Sequence, residues 1–89
     1  MIDSPIRVAI VEDTDDIREA LRVLINGSNG FECLHVYPDA EAALKDIPQQ
    51  EVDVVLMDIH LPGLDGIGCM TQLSERMPRT QFMMCTVYD

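Results

Sequence analysis

Val52-Asp53-Val54-Val55-Leu56-Met57-Asp58-Ile59-His60-Leu61-Pro62-Gly63-Leu64-Asp65-Gly66 is the stretch that decides how the other residues are read. Val52 to Met57 is the most apolar strand candidate in the chain and ends on an acid, Asp58. The Leu-Pro-Gly-Leu-Asp-Gly segment that follows is turn chemistry, with Pro62, Gly63 and Gly66 as its punctuation. Beyond it Ile67, Met70, Leu73 and Met77 recur at helical spacing. A continuous apolar strand followed by a turn and an amphipathic helix is how a buried parallel strand with its crossover looks.

The same unit appears twice upstream. Ile6-Arg7-Val8-Ala9-Ile10-Val11 is a short apolar run stopped by Glu12-Asp13-Thr14-Asp15-Asp16. A helix is then expected from Asp15 to about Asn26, with Ile17, Ala20, Leu21, Leu24 and Ile25 in phase, Thr14 as cap and Gly27 as stop. Phe31 to Tyr37 reads as a second strand between Gly30 and Pro38. Asp39 caps a short helix carrying Ala40, Ala43, Leu44 and Ile47 before Pro48 ends it. Gln81 to Thr86 is a fourth strand. The alternation predicts one α/β domain over residues 1–89, a parallel sheet with helices on its faces.

With 89 residues the chain allows one modest core, and 47% hydrophobic with 25% charged residues is a globular balance. Six basic against sixteen acidic residues give a net charge of -10, which excludes a nucleic-acid reader in this segment. Part of that excess, including Asp46, Glu51 and Glu75, reads as solvated surface. Cys33, Cys69 and Cys85 have neither disulfide-framework nor zinc spacing, so reduced, mostly buried thiols are expected. His35 reads as structural, and the six methionines, Met83 and Met84 among them, as core filling. No apolar run approaches the roughly 20 residues of a membrane helix, so no membrane association and a cytoplasmic location are expected.

In parallel α/β sheets function collects at the carboxyl ends of the strands. Glu12, Asp13, Asp58 and Thr86 all fall there. Taken singly, each has a plainer reading: Asp58 as a turn former, Glu12-Asp13 as loop or cap, Thr86 as ordinary strand content. Joint placement at three strand ends outweighs that. Converging carboxylates repel unless a cation joins them, and magnesium takes oxygen ligands, usually one or two carboxylates plus water and phosphate oxygens. A carboxylate there can attack an activated phosphoryl group, and Asp58 is the expected nucleophile. The Thr86 hydroxyl is placed to donate to an added phosphoryl oxygen.

Val8-Ala-Ile-Val-Glu-Asp13, the 52–66 stretch, and Met83-Met-Cys-Thr-Val-Tyr88 together resemble the receiver domain of bacterial two-component response regulators, over the whole chain. The last of these segments is most similar to regulators of the NarL/LuxR type, whose output is a helix-turn-helix DNA-binding domain. The resemblance implies a flavodoxin-like (CheY-like) three-layer doubly wound sheet of strand order 2-1-3-4, with the fifth strand absent from these residues. It implies that Asp58 is the phosphorylated aspartate and Asp13 a direct Mg2+ ligand. Glu12 acts largely through metal-bound water, and the His60 backbone carbonyl completes the set. It makes Thr86 the switch hydroxyl and the Val87 amide a phosphoryl donor contact. A sensor histidine kinase, or a small phosphodonor, supplies the phosphoryl group, and the segment relays a state rather than acting as an enzyme.

A receiver of this family continues after its fourth strand into a lysine-bearing fifth strand, and Lys45, the one lysine present, belongs to the second helix. The expectation is therefore a chain that comes from a longer protein or self-associates through its fourth-strand edge. Two other readings compete. Asp13-Thr14-Asp15 is similar to the opening of haloacid-dehalogenase-like phosphohydrolases, with Asp13 as nucleophile and Asp15 as acid/base. Alternatively, the fold serves only as a phosphorylation-incompetent interaction or dimerisation module.

Overall fold

Ile6–Val11 forms β1, and its last four side chains are buried because both faces of the strand are covered. The computed structural model describes residues 4–85. β1 is followed by α1 (Asp15–Asn26), β2 (Phe31–Tyr37), α2 (Ala40–Asp46), a single 3-10 turn at Ile47–Gln49, β3 (Val54–Asp58), α3 (Gly66–Arg76) and β4 (Gln81–Cys85). The four strands make one parallel sheet in the order β2-β1-β3-β4. The expected α/β architecture and strand order are therefore present.

Alternation along the central strands divides the core. Ala9, Val11, Val55 and Met57 point to one face and pack with Ala40, Ala43, Ile47, Cys69 and Leu73 from α2, the 3-10 turn and α3. Each large side chain fully buried there, such as Ile47, Met57 or Leu73, contributes about 1.5–3 kcal/mol. Val8 and Ile10 point the other way, toward Leu21 and Ile25 of α1. That second layer is thin: α1 has no fully buried residue, and Leu24, expected on the apolar stripe, is 66% exposed. Val8, Ile25, Phe31, Val54, Leu56 and Met83 line an apolar groove beside it.

Local chemistry sets the ends of the elements. The Asp39 carboxylate accepts the Ala42 amide at 2.8 Å and caps α2, and Asp65 does the same for α3 through Gly68 at 2.8 Å. Thr14 occupies the cap position of α1, but its side chain makes no capping bond. Pro48 lies within the 3-10 turn, so α2 ends at Asp46, short of the expected Ile47. β3 begins at Val54, later than Val52, because Asp53 turns its carboxylate back onto Arg7.

Two surface assignments change. Asp46 is held by the Tyr37 hydroxyl at 2.6 Å and by Gln50, so it is not simply solvated, whereas Glu51, ion-paired with Arg7 at 2.7 Å, stays 82% exposed as expected. Met83 is 59% exposed on β4 rather than core filling, while Met84 is partly buried. The cysteines are free thiols, with Cys33 and Cys69 buried and Cys85 half-buried, as expected. No helix among the described residues is long and apolar enough to cross a membrane.

A candidate cation and phosphoryl site at the carboxyl edge

β1 and β3 are hydrogen-bonded neighbours running the same way, with Val11 beside Met57. The residues that follow those two positions, Glu12 and Asp58, therefore emerge side by side at the carboxyl edge. Glu12 is fixed from three directions. Its amide donates to the Tyr37 carbonyl at 3.0 Å, and its carbonyl accepts from the Arg18 guanidinium at 2.9 Å. Its Oε2 accepts the Thr14 amide at 3.0 Å. The side chain is 2% exposed, and its other oxygen, Oε1, is buried with no hydrogen-bond partner among the described residues.

Asp58 is 4% exposed, and its Oδ1 accepts the His60 amide at 3.0 Å. Its position depends on the turn behind it. The Ile59 amide donates to the Cys85 carbonyl at 3.0 Å, and the Gly66 amide donates back to the Ile59 carbonyl at 3.1 Å. A Cβ at Gly66 would lie 2.1 Å from the Asp58 carbonyl oxygen, so only glycine permits this approach. Asp13 is exposed beside them, and one carboxylate oxygen from each of Glu12, Asp13 and Asp58 lies within 4.8 Å of the others.

Charge at this edge is poorly compensated. Burial raises the Glu12 carboxyl above its ordinary value of 4.5, the Thr14 amide opposes that rise, and Asp58 and Asp13 add to it. Burial, with Asp58 and Glu12 nearby, also pushes the Cys85 thiol up. Arg18 reaches this edge, yet its guanidinium is occupied by the Glu12 carbonyl and the Asp15 carboxylate. A partnerless buried oxygen, two further carboxylates and no sulfur or imidazole in the cluster make an all-oxygen donor set that suits a hard divalent ion such as Mg2+.

The sequence-derived residues Glu12, Asp13 and Asp58 are thus brought together. His60 contributes its amide to Asp58. Thr86 and Val87 lie outside the described residues. Asp15, the acid/base of the hydrolase reading, pairs with Arg18 on the first turn of α1 and is not in the carboxylate cluster. One contributor is seen only in part and one escapes sequence reasoning. Gly66 reads there as turn punctuation that shapes the loop beside Asp58, without the close backbone approach found here. Glu41 on α2, whose Oε2 accepts the Leu64 amide at 3.2 Å, carries no sequence signal, since the contact spans 23 residues.

Comparison with known proteins points the same way. The sequence profile described as "Response regulator receiver domain" matches residues 8–89. The protein-glutamate methylesterase/protein-glutamine glutaminase 2 of Burkholderia thailandensis is 34% identical over 79 residues, 89% of this chain and 22% of that protein. The positive alginate biosynthesis regulatory protein of Pseudomonas aeruginosa is 38% identical over 85 residues, 92% of this chain and 34% of that protein. The response regulator protein TrrA of Thermotoga maritima, solved in complex with Mg2+-BeF, superposes with a TM-score of 0.83 at 26% identity, over 93% of this chain and 70% of that one. The match covers 22% of the first of these curated relatives and 34% of the second.

Proposed function

Because the chain belongs to the response regulator receiver domain family, we propose that it accepts a phosphoryl group on Asp58 and relays that state within a two-component signalling system. The observation that carries this reading is the buried Asp58 carboxylate, one of a trio whose Glu12 Oε1 has no hydrogen-bond partner among the described residues. Asp13 and Asp58 would supply carboxylate oxygens to Mg2+, with Glu12 acting mainly through water and the His60 carbonyl completing the protein ligands. Bound there, the ion offsets the charge on the transferring oxygens.

The chain's own residues do the rest. His60 N–H holds Oδ1 of Asp58, which orients the carboxylate and leaves Oδ2 to attack phosphorus. As the new O–P bond forms, the donor's bond to phosphorus breaks and the leaving group departs with the electron pair: a histidine imidazole of a sensor kinase, or the acetate of acetyl phosphate. Gly66 lets the loop close against the Asp58 backbone, so the acceptor is set before the donor arrives. The Thr86 hydroxyl and the Val87 amide, as the next residues beyond β4, are proposed to hold the added phosphoryl oxygens.

The output is proposed to be a DNA-binding transcription regulator domain in a cytoplasmic protein; the likeness to a protein named as a positive regulator of alginate biosynthesis supports a regulatory output. The likeness to a methylesterase makes an enzymatic output the second reading. Self-association through β4 is proposed because Met83 is exposed there beside the apolar groove, with none of the described residues covering them. Intact-mass spectrometry after acetyl phosphate and Mg2+ tests the core of the proposal. One phosphoryl adduct is expected, lost in Asp58→Asn. An adduct that persists in Asp58→Asn but disappears in Asp13→Asn favours the hydrolase chemistry, and no adduct on the wild type leaves the interaction module.

A further inference from the structure

The loop between β3 and α3, residues 59–65, carries His60 and sets the orientation of Asp58. Its other ties run to β4, from Ile59 to Cys85, and within the loop and α3, from Gly66 to Ile59 and through the Asp65 cap. Glu41 reaches it from α2. Glu41 sits in the first turn of α2, next to Ala40, and its Oε2 accepts the Leu64 amide at 3.2 Å. The same oxygen lies against Gly63, which has φ 72° and where a Cβ would come within 3.0 Å of it. Below this contact, the Cys69 thiol of α3 lies 3.9 Å from the Ala40 carbonyl. Burial and the Glu41 charge push that thiol up to about 11. The start of α2 is therefore seated on both the loop and the helix that follows it.

Resting on the receiver reading above, we propose that Glu41 is a positioning residue for the phosphoryl site, tying the loop that presents Asp58 and the His60 carbonyl to the N-terminus of α2. The geometry gives the tether its reason. Gly63 turns the chain through a left-handed conformation that brings the Leu64 amide outward, where without a partner it would be satisfied by water alone. Glu41 supplies an acceptor oxygen carried on α2. Because α2 is packed into the larger core layer through Ala40 and Ala43, the loop inherits the rigidity of that layer. Glu41 touches neither the carboxylate cluster nor its ligands; it acts through the loop.

Glu41→Ala and Glu41→Gln separate the tether from the charge, since glutamine keeps an acceptor oxygen and loses the charge. Measured on the whole chain, Glu41→Ala is expected to weaken Mg2+ affinity and slow acetyl phosphate labelling by roughly two- to tenfold, the size of one net hydrogen bond. It should also speed amide exchange at Leu64, and Glu41→Gln should restore all three. Wild-type Mg2+ affinity and labelling in Glu41→Ala, even with a lowered melting temperature, would show a purely structural contact and overturn the proposal. Equal losses in both variants would assign the effect to charge and overturn it too. A wild type that neither binds Mg2+ nor labels sinks the receiver reading itself, and this role with it.

Discussion

Asp53, just before β3, and Asp58, its last residue, carry the same side chain in opposite circumstances. At the amino end, Asp53 receives the Arg7 amide at 2.9 Å and its guanidinium at 3.2 Å, while Glu51 takes the other side of that guanidinium at 2.7 Å. Those bonds hold the Asp53 carboxyl below its ordinary value of 3.8. At the carboxyl end, Asp58 meets Glu12 and Asp13, and the Glu12 carboxyl is driven up instead. Along one short strand, one acid is matched by the protein and the other is opposed by it. The difference teaches that the acidic edge is not a by-product of the net charge of -10. Where a cluster serves the fold, this sequence provides an arginine; at the carboxyl edge the described residues provide no basic partner for Glu12 Oε1, which fits the proposed cation.

The comparison breaks most severely at Gly66. Gly66→Ala sets a Cβ against backbone rather than a yielding side chain, so the β3–α3 turn must move at a cost on the order of 3 kcal/mol. A large fall in the urea midpoint is expected, with Mg2+ affinity falling as well.

Next comes Glu12. A carboxyl whose folded value is raised contributes stability below its unfolded value of 4.5, and that contribution is lost as pH rises through the raised value. Without Mg2+, Glu12→Gln should therefore stabilise the protein at pH 7. The gain should vanish below about pH 4 in melting curves taken across the pH range.

The amino end should respond with the opposite sign and least strongly. Asp53, held low by Arg7, contributes stability above 3.8 that is lost as pH falls through its depressed value. The ion pairs are solvent-facing, with Arg7 38% exposed, so Arg7→Ala should lower the melting temperature only slightly. Molar salt should erase the difference.

The fold was largely legible because strand, turn and helix repeat in phase, and because β1 and β3 are apolar on both faces. The carboxylate trio followed from one topological rule: neighbouring parallel strands bring their next residues together. Tertiary partners were not legible. Arg7 closing on Asp53 and Glu51 joins residues more than 40 apart, and it delays the start of β3. The burial of Glu12 depends on the Tyr37 carbonyl and the Thr14 amide, which no pattern in Glu12-Asp13 reveals. The α1 stripe is periodic in the sequence, yet period alone does not say how much of it finds a partner; Leu24 stays outside. Thr86 and Val87 stand on sequence alone.

A calorimetric Mg2+ titration at fixed ionic strength tests the proposed cation site most directly, with wild type, Asp13→Asn and Asp53→Asn compared side by side. Saturable binding of one ion to the wild type and to Asp53→Asn, abolished in Asp13→Asn, is the predicted result. Binding that survives in Asp13→Asn, or a wild type that takes up no Mg2+ beyond what ionic strength explains, would contradict it.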